Sequence, residues 1–406
     1  MLLAGHERVS GARADLRAAT SNVEKSRSGW YPELSVTANV GRQRVERSPP
    51  ETVANFPIGE AGVTVRQPVY DFGRIDAEVG KAKIAQRQAE VTLDNVTQEV
   101  LFEGLTAFVN LERAALAFQF ASESEDNIRH QTGLEQSMVD LGGGFSSDVL
   151  QAKSQLAGAQ ARLVRARGSL LSAENRFRAV FRRPPILNDR TQRVSLPSGR
   201  LPATMDEAVT AALDRNRQLI LMRLDIDSGK AEIERQTGAE LMPRLAAVGE
   251  SRYMRNSSGV FGNRMEQTVK LEMTYRFNTG LSAHHGLDAA REQVSSSQHK
   301  YIETLDLIEE RVRNAWESLE VARENANHLE NQARISEAFL QLAREERVQG
   351  RRSLIDVLSG ETSLINAQSD AASAKADVVL ASFSLLRAIG ALDLEILSAD
   401  VVSHGP

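Results

Sequence analysis

Few side chains in this sequence could do chemistry, and spacing eliminates most of them. His284-His285 is an adjacent pair of potential metal ligands, but no third ligand stands at a useful distance, so a surface pair is expected. The other histidines are scattered. Gly142-Gly143-Gly144 is not a phosphate loop, because it lacks the Gly-Lys-Ser/Thr ending and a preceding strand. There are no cysteines, which excludes disulfides, thiolate metal sites, a catalytic thiol and a lipidated cysteine within the chain. No catalytic constellation, cofactor or metal site is expected. What remains is charge beside two glycine turns: Asp148 follows Gly142, and Arg352 and Asp356 follow Gly350. A carboxylate in the first turn of a helix is favoured by the helix dipole. That alone accounts for each Asp about as well as a functional role does.

The elements that must position these charges occur twice. Leu141-Gly142 is followed by Ser147-Asp148-Val149-Leu150, and Gly350 by Ile355-Asp356-Val357-Leu358; 350−142 and 356−148 are both 208. Ala159-Gln160 returns as Ala367-Gln368 at the same offset, and Trp30-Tyr31-Pro32-Glu33-Leu34 parallels Met242-Pro243-Arg244-Leu245. A duplication fixes the architecture before any other inference. Two copies are too few for a solenoid, so a pseudo-symmetric tube or bundle is expected. The repeats divide the chain into 1–185, a proline-rich linker at 186–202, 203–394 and a tail at 395–406. The segment Thr204 to Asn216 has no counterpart in the first half; it would precede residue 1, so the chain is expected to begin inside an element.

Each repeat opens with strands. Residues 33–45 alternate, with Leu34, Val36, Ala38 and Val40 on one side and Ser35, Thr37 and Asn39 on the other. A Ser48-Pro49-Pro50 to Pro57 loop leads to a second strand at 61–70. In the second half, residues 265–277 place Met265, Val269, Leu271, Met273, Tyr275 and Phe277 opposite Glu266, Lys270, Glu272 and Arg276. A half-buried sheet in water covers a core with its apolar face. Here everything else reads as helix, and no core is left to cover. The alternative is an inverted barrel, apolar toward lipid and charged toward internal water. Trp30, Tyr31, Tyr70, Phe72, Tyr275 and Phe277 collect at the strand ends, with Phe56 and Phe261 in the opposite loops; the alternation favours an interfacial aromatic belt over rings that only pack the helix–strand junctions.

Long helices follow, over 74–141 and 281–349, each roughly 100 Å at 1.5 Å per residue. The second holds an unbroken 3,4 spacing from Leu305, Ile308 and Val312 through Leu319, Ala326 and Leu340 to Ala343, which imposes a left-handed supercoil. The first carries the same register through Val100, Gly104, Ala107, Leu111, Ala114, Phe118 and Ala121. The small seam residues allow the close approach that a many-helix wall needs. Shorter helices return over 147–183 and 353–390, and helices at 2–28 and 205–240 complete the wall. The net charge of −5 offers no basic surface for nucleic acid, and no apolar run reaches the roughly 20 residues of a membrane helix.

The two strand-plus-hairpin repeats, the Tyr31-Pro32-Glu33-Leu34 segment, the Gln67-Pro68-Val69-Tyr70-Asp71-Phe72-Gly73 junction and the Gly-x5-Asp-Val-Leu tips resemble the TolC family over residues 5–394. These are outer-membrane exit ducts of type I secretion systems and tripartite efflux pumps. The resemblance implies an α+β membrane protein: a homotrimer in which four strands per protomer make a twelve-stranded barrel in outer-membrane lipid, continued by a periplasmic α-helical barrel. Closure in threes also follows from lipid, where an open sheet edge leaves backbone groups unpaired. The implied partners are a periplasmic adaptor and an inner-membrane ABC transporter or proton-driven pump. The adaptor would meet the hairpin tips at Leu141, Gly142, Gly143, Gly144, Phe145, Ser146, Gly350, Arg351, Ser353 and Leu354. Asp148, Arg352 and Asp356 fall where the family's charged residues hold the entrance narrow. Arg352 would pair with Asp148 of the neighbouring hairpin, and Asp356 would form a ring of carboxylates that attracts cations. Ser359 stands where some relatives carry a second Asp, which argues against a double acidic ring. Type I protein export is the first expectation, multidrug efflux the second, and a soluble coiled-coil scaffold a distant third.

Overall fold

The computed structural model describes residues 3, 5–47, 52–143, 145–185, 198–256, 261–275 and 280–393. The element order is α1 (Glu7–Arg27), β1 (Glu33–Arg47), β2 (Thr52–Tyr70), α2 (Arg74–Asp140), α3 (Ser146–Phe181), α4 (Met205–Arg215), α5 (Arg217–Glu240), β3 (Arg244–Arg255), β4 (Asn263–Thr274), α6 (Ser282–Val348) and α7 (Leu354–Ile389). The repeat is reproduced to the residue: α2 and α6 start 208 apart (282−74), as do α3 and α7 (354−146).

Two compact units are formed, one from Met1–Ser10, Asp94–Leu219 and Thr304–Pro406, the other from Gly11–Leu93 and Ile220–Glu303. Each draws on both repeats, so the spatial units cut across the sequence division. The reason is that α2 and α6 each supply residues to both.

The second unit holds one antiparallel sheet in the order β1-β2-β3-β4. Its register puts Leu34 opposite Val65, Val65 opposite Gly249 and Gly249 opposite Val269, so the apolar sides of the strands share one face. That face is uncovered: Val40 is 93% exposed and Val269 90%. The other face carries a lattice of ion pairs. Arg66 reaches across β3 to Glu272 at 2.9 Å, Lys270 meets Glu272 at 3.0 Å, Arg252 meets Glu60 at 3.2 Å and Arg264 meets Glu266 at 2.6 Å. The arrangement is the reverse of a sheet that covers a core in water.

Several expectations need correction. β2 starts at Thr52, not at 61, and runs through Pro57. Pro57 lies beyond the last rung shared with β3, Gly59 opposite Arg255, so its missing N–H is not needed by a ladder. Its carbonyl accepts from Asn256 Nδ2 at 3.0 Å. Phe56 is therefore a strand residue, and it is buried on the charged face, opposite Gln43 and against the Phe261 ring at 4.9 Å. β4 ends at Thr274, so Tyr275 stands just past the strand. The helix expected over 205–240 is two helices. Asn216 is extended, its Nδ2 donates to Ala388 O at 2.9 Å and its Oδ1 accepts from Gln218 N at 2.9 Å, which ends α4 and caps α5. α1 starts at Glu7.

The heptad seams are the buried lines of the long helices. Ile308, Val312, Leu319, Ala326, Leu340 and Ala343 are buried on α6, as are Val100, Ala107, Leu111, Ala114 and Ala121 on α2. The junction before α2 has a local cause. Asp71 is buried, and its Oδ2 accepts from Ile75 N at 2.8 Å, capping α2 after Phe72 and Gly73 take positive φ. Gly238 lets α5 pass this corner: a Cβ there would stand 3.1 Å from Arg74 N.

Candidate functional site

Both hairpin tips are built by the same chemistry. At the first, Gly142 takes φ +84 and its N–H donates to Val139 O at 2.9 Å, while Gly143 N donates to Met138 O at 2.9 Å. At the second, Gly350 takes φ +72 and donates to Arg347 O at 2.9 Å, while Arg351 N donates to Glu346 O at 2.9 Å. These paired bonds close a helix end through a left-handed residue, which is why glycine stands at both tips. The return helices start differently. Ser353 Oγ accepts from Asp356 N at 3.3 Å, whereas Phe145 caps α3 without a side-chain bond.

Asp148 and Asp356 occupy the same position, the third residue of α3 and of α7. Asp148 Oδ1 accepts from Ser147 Oγ at 3.3 Å, and Asp356 is exposed. Arg352 is engaged within its own hairpin: Nε donates to Glu346 Oε2 at 2.6 Å, and the guanidinium lies 5.2 Å over the Phe339 ring. No ion pair joins Arg352 to Asp148 inside the protomer. Leu141 (88% exposed), Phe145 and Val348 crown the tips with bare apolar surface. Leu354, grouped with them from sequence, is buried against Leu358, Ile128 and Ala152 and presents no surface to a partner. Gly144 lies outside the described residues.

Sequence reasoning missed three carboxylates near the tips. Glu125, Glu135 and Glu361 are buried, at 2%, 4% and 3% exposed. Arg129 donates to Glu125 at 2.7 Å, Arg347 of α6 to Glu135 of α2 at 2.6 Å, and Arg344 of α6 to Glu361 of α7. A signal existed. Continuing the α2 seam past Ala121 by fours and threes gives Glu125, Ile128, Thr132 and Glu135, all buried. The corresponding α6 seam positions are Ala333, Ser336, Leu340 and Ala343. The first repeat is thus acidic where the second is apolar, and Arg347–Glu135 joins the two hairpins.

At the other unit, the strand ends that adjoin helices gather aromatic rings. Trp30 Nε1 donates to Asp76 Oδ1 at 3.1 Å, Tyr31 is 70% exposed, and Tyr70 and Phe72 meet edge to face at 4.7 Å. A bulge between Pro68 and Tyr70 turns Tyr70 to the apolar face, opposite Leu245. Tyr275 is 43% exposed beside β4; Phe277 lies outside the described residues. No group of side chains suited to a metal ion occurs among the described residues, and no described helix is long and apolar enough to cross a membrane.

Comparison with known proteins agrees with this geometry. A profile of the outer membrane efflux protein family matches residues 1–181 and 208–391. The chain is 24% identical over 404 residues to the outer membrane efflux protein BepC of Brucella suis, covering 98% of this chain and 85% of that one. It is 21% identical to the outer membrane protein TolC of Escherichia coli, covering 95% and 80%. Among solved structures, the outer-membrane channel OprN superposes with TM-score 0.81 at 21% identity, covering 96% of this chain and 88% of that one. The open state of the Neisseria gonorrhoeae MtrE channel superposes with 0.80 at 18%, covering 96% and 87%. The chain belongs to the outer membrane efflux protein family, as a TolC-like channel of the bacterial outer membrane that extends into the periplasm.

Proposed function

We propose that the protein is a passive exit duct, a homotrimer whose sheets close into a twelve-stranded barrel and whose hairpin tips receive a periplasmic adaptor and, through it, an inner-membrane pump. The observation that carries this is the inverted sheet with two open edges. β1 and β4 each have one unpaired side, and the face beside those edges is apolar and bare. In hydrocarbon every unpaired backbone group costs several kcal/mol, so copies must pair edge to edge until the ring closes. Around eight strands are the least that close a barrel, and a wet lumen needs more, which three copies of four supply.

Within this duct the tips form the entrance. Asp148 and Asp356 repeat three times around the axis and attract cations. Arg352 and the exposed tip residues Leu141, Gly142, Gly143, Phe145, Ser146, Gly350, Arg351 and Ser353 meet the neighbouring copy and the adaptor. The cargo of first choice is a polypeptide exported by a type I system. Its support is the charged face, where carboxylates are held by arginines or lysine. A wall of neutralised charge grips neither sign, which suits a chain that carries both. Multidrug efflux is the second reading, favoured by the efflux names of relatives such as BepC. A gene for an ABC transporter beside this one supports protein export, and a proton-driven pump supports drug efflux. The duct itself is tested by purification: a detergent-dependent trimer that conducts ions in a planar bilayer supports it, and a detergent-free monomer overturns it.

A further inference from the structure

The bare face of the sheet is free of charge along most of its length, and its charges gather at one end. Val40, Gly59, Arg255 and Asn263 share one rung. The rung on the helix side of it holds Ala38, Ala61, Tyr253 and Met265, and from there to Leu245 and Met273 the face has no charged residue. On the loop side come Arg42, opposite Pro57, and Arg44, opposite Asn55. All four strands join helices at the far end, at Glu33, Tyr70, Arg244 and Thr274, so the arginines stand at the end away from the helices.

These arginines differ from those on the opposite face. Arg66, Arg252 and Arg264 each have a carboxylate partner there. Among the described residues of the bare face, only Arg44 has one, Glu46 at 2.7 Å. Arg42 and Arg255 make no ion pair or side-chain hydrogen bond among the described residues and are exposed. A second copy does not supply the missing acid. The β4 strand that would lie beside β1 presents Asn263, Met265, Gln267, Val269, Leu271 and Met273 on this face.

We propose that Arg42, Arg44 and Arg255 form a binding site for the phosphate-bearing headgroup of an outer-leaflet lipid. This rests on the duct reading in that the sheet must stand in a bilayer with its helices in the periplasm. The site then sits at the outer interface, beginning at the rung that Arg255 shares with Val40. A cation at the bilayer midplane is strongly disfavoured, but near the interface it costs little. The planar guanidinium binds phosphate through two parallel hydrogen bonds, and arginine is less strongly hydrated than lysine. Among the described residues of the bare face, three guanidiniums against one carboxylate leave net positive charge at this end. The helix-side interface is aromatic instead, with Tyr31, Tyr70 and Tyr275, so the two ends are fitted to different leaflets.

The test uses the full-length protein in a nonionic detergent and native mass spectrometry with diphosphoryl lipid A, its dephosphorylated form and inorganic phosphate as probes. The diphosphorylated lipid should bind, the dephosphorylated form should bind far less, and inorganic phosphate in equal amount should leave the lipid in place. Arg42→Gln/Arg44→Gln/Arg255→Gln should weaken lipid binding by about tenfold or more, near 1.4 kcal/mol. The corresponding lysine triple variant should retain part of it. Arg66→Gln/Arg252→Gln, on the other face, should bind like wild type. Unchanged binding by the glutamine triple variant, equal binding of the dephosphorylated lipid, displacement by inorganic phosphate, or an equal loss in the Arg66/Arg252 variant overturns the proposal. Single-channel conductance is measured on every protein. Wild-type conductance with no lipid preference removes this site and leaves the duct; a wild-type protein that does not conduct removes the duct.

Discussion

Glu135 is folded away from water on α2, and the arginine that neutralises it belongs to the other repeat. An isolated buried carboxylate is costly, while a paired one is tolerated. Arg347→Met should therefore destabilise the hairpin pair by about 2 kcal/mol, less than for a fully buried pair because Arg347 is partly exposed. Glu135→Gln in the same chain should restore most of it. Thermal unfolding of the two variants checks this, and equal midpoints for wild type and Arg347→Met would show that the pair is dispensable. Arg352 makes a comparable local contact, with Glu346 and the Phe339 ring. If it also latches the entrance, Arg352→Ser should raise single-channel conductance in a planar bilayer; unchanged conductance removes the latch.

At the scale of elements, carboxylates of α5 tie it to α2: Asp225 Oδ1 accepts from Gln88 Nε2 at 2.6 Å, and Glu232 gathers the larger set of donors. Glu232 accepts from Lys81 Nζ at 2.8 Å, Arg235 Nη2 at 2.6 Å and Gln236 Nε2 at 3.0 Å. The hydrogen bond from Arg235, then those from Lys81 and Gln236, pull its pKa from 4.5 to about 2 against the opposing effect of burial. The folded value is the lower one, so this contribution is fully present above pH 4.5 and is lost as pH falls toward about 2. Glu232→Gln should lower stability at neutral pH, and its difference from wild type should shrink through that acid window. Hydrogen exchange along α5 as a function of pH reads this directly. A constant difference between the two proteins down to pH 2 would mean that the ionised carboxylate is not what holds α5.

The whole molecule turns on which side of the sheet meets lipid. Val269 and Thr268 are neighbours on β4 but point to opposite faces. Val269→Lys should cost about 2–4 kcal/mol in the bilayer, and Thr268→Lys, among paired charges, much less. The yield of trimer extracted from outer membranes measures both. Equal yields would contradict a lipid-facing apolar side.

The sequence by itself determined the repeat, three strands with unlike faces, the long supercoiled helices and the glycine tips. Those features are periodic or local, so spacing reveals them: a period of two for strands, a period of 3.5 for seams and glycine where φ turns positive. It also held the buried glutamates of α2, legible once the seam is carried past Ala121. Only the tertiary structure decided the rest. The reach of β2 through Pro57 depends on where β3 ends, and the outward turn of Tyr70 depends on a bulge that breaks period two. The partner of Arg352, the burial of Leu354 and the cross-repeat contact of Arg347 with Glu135 depend on how separate helices meet. Pairing between residues distant in sequence is set by packing, and no spacing rule within one segment encodes it.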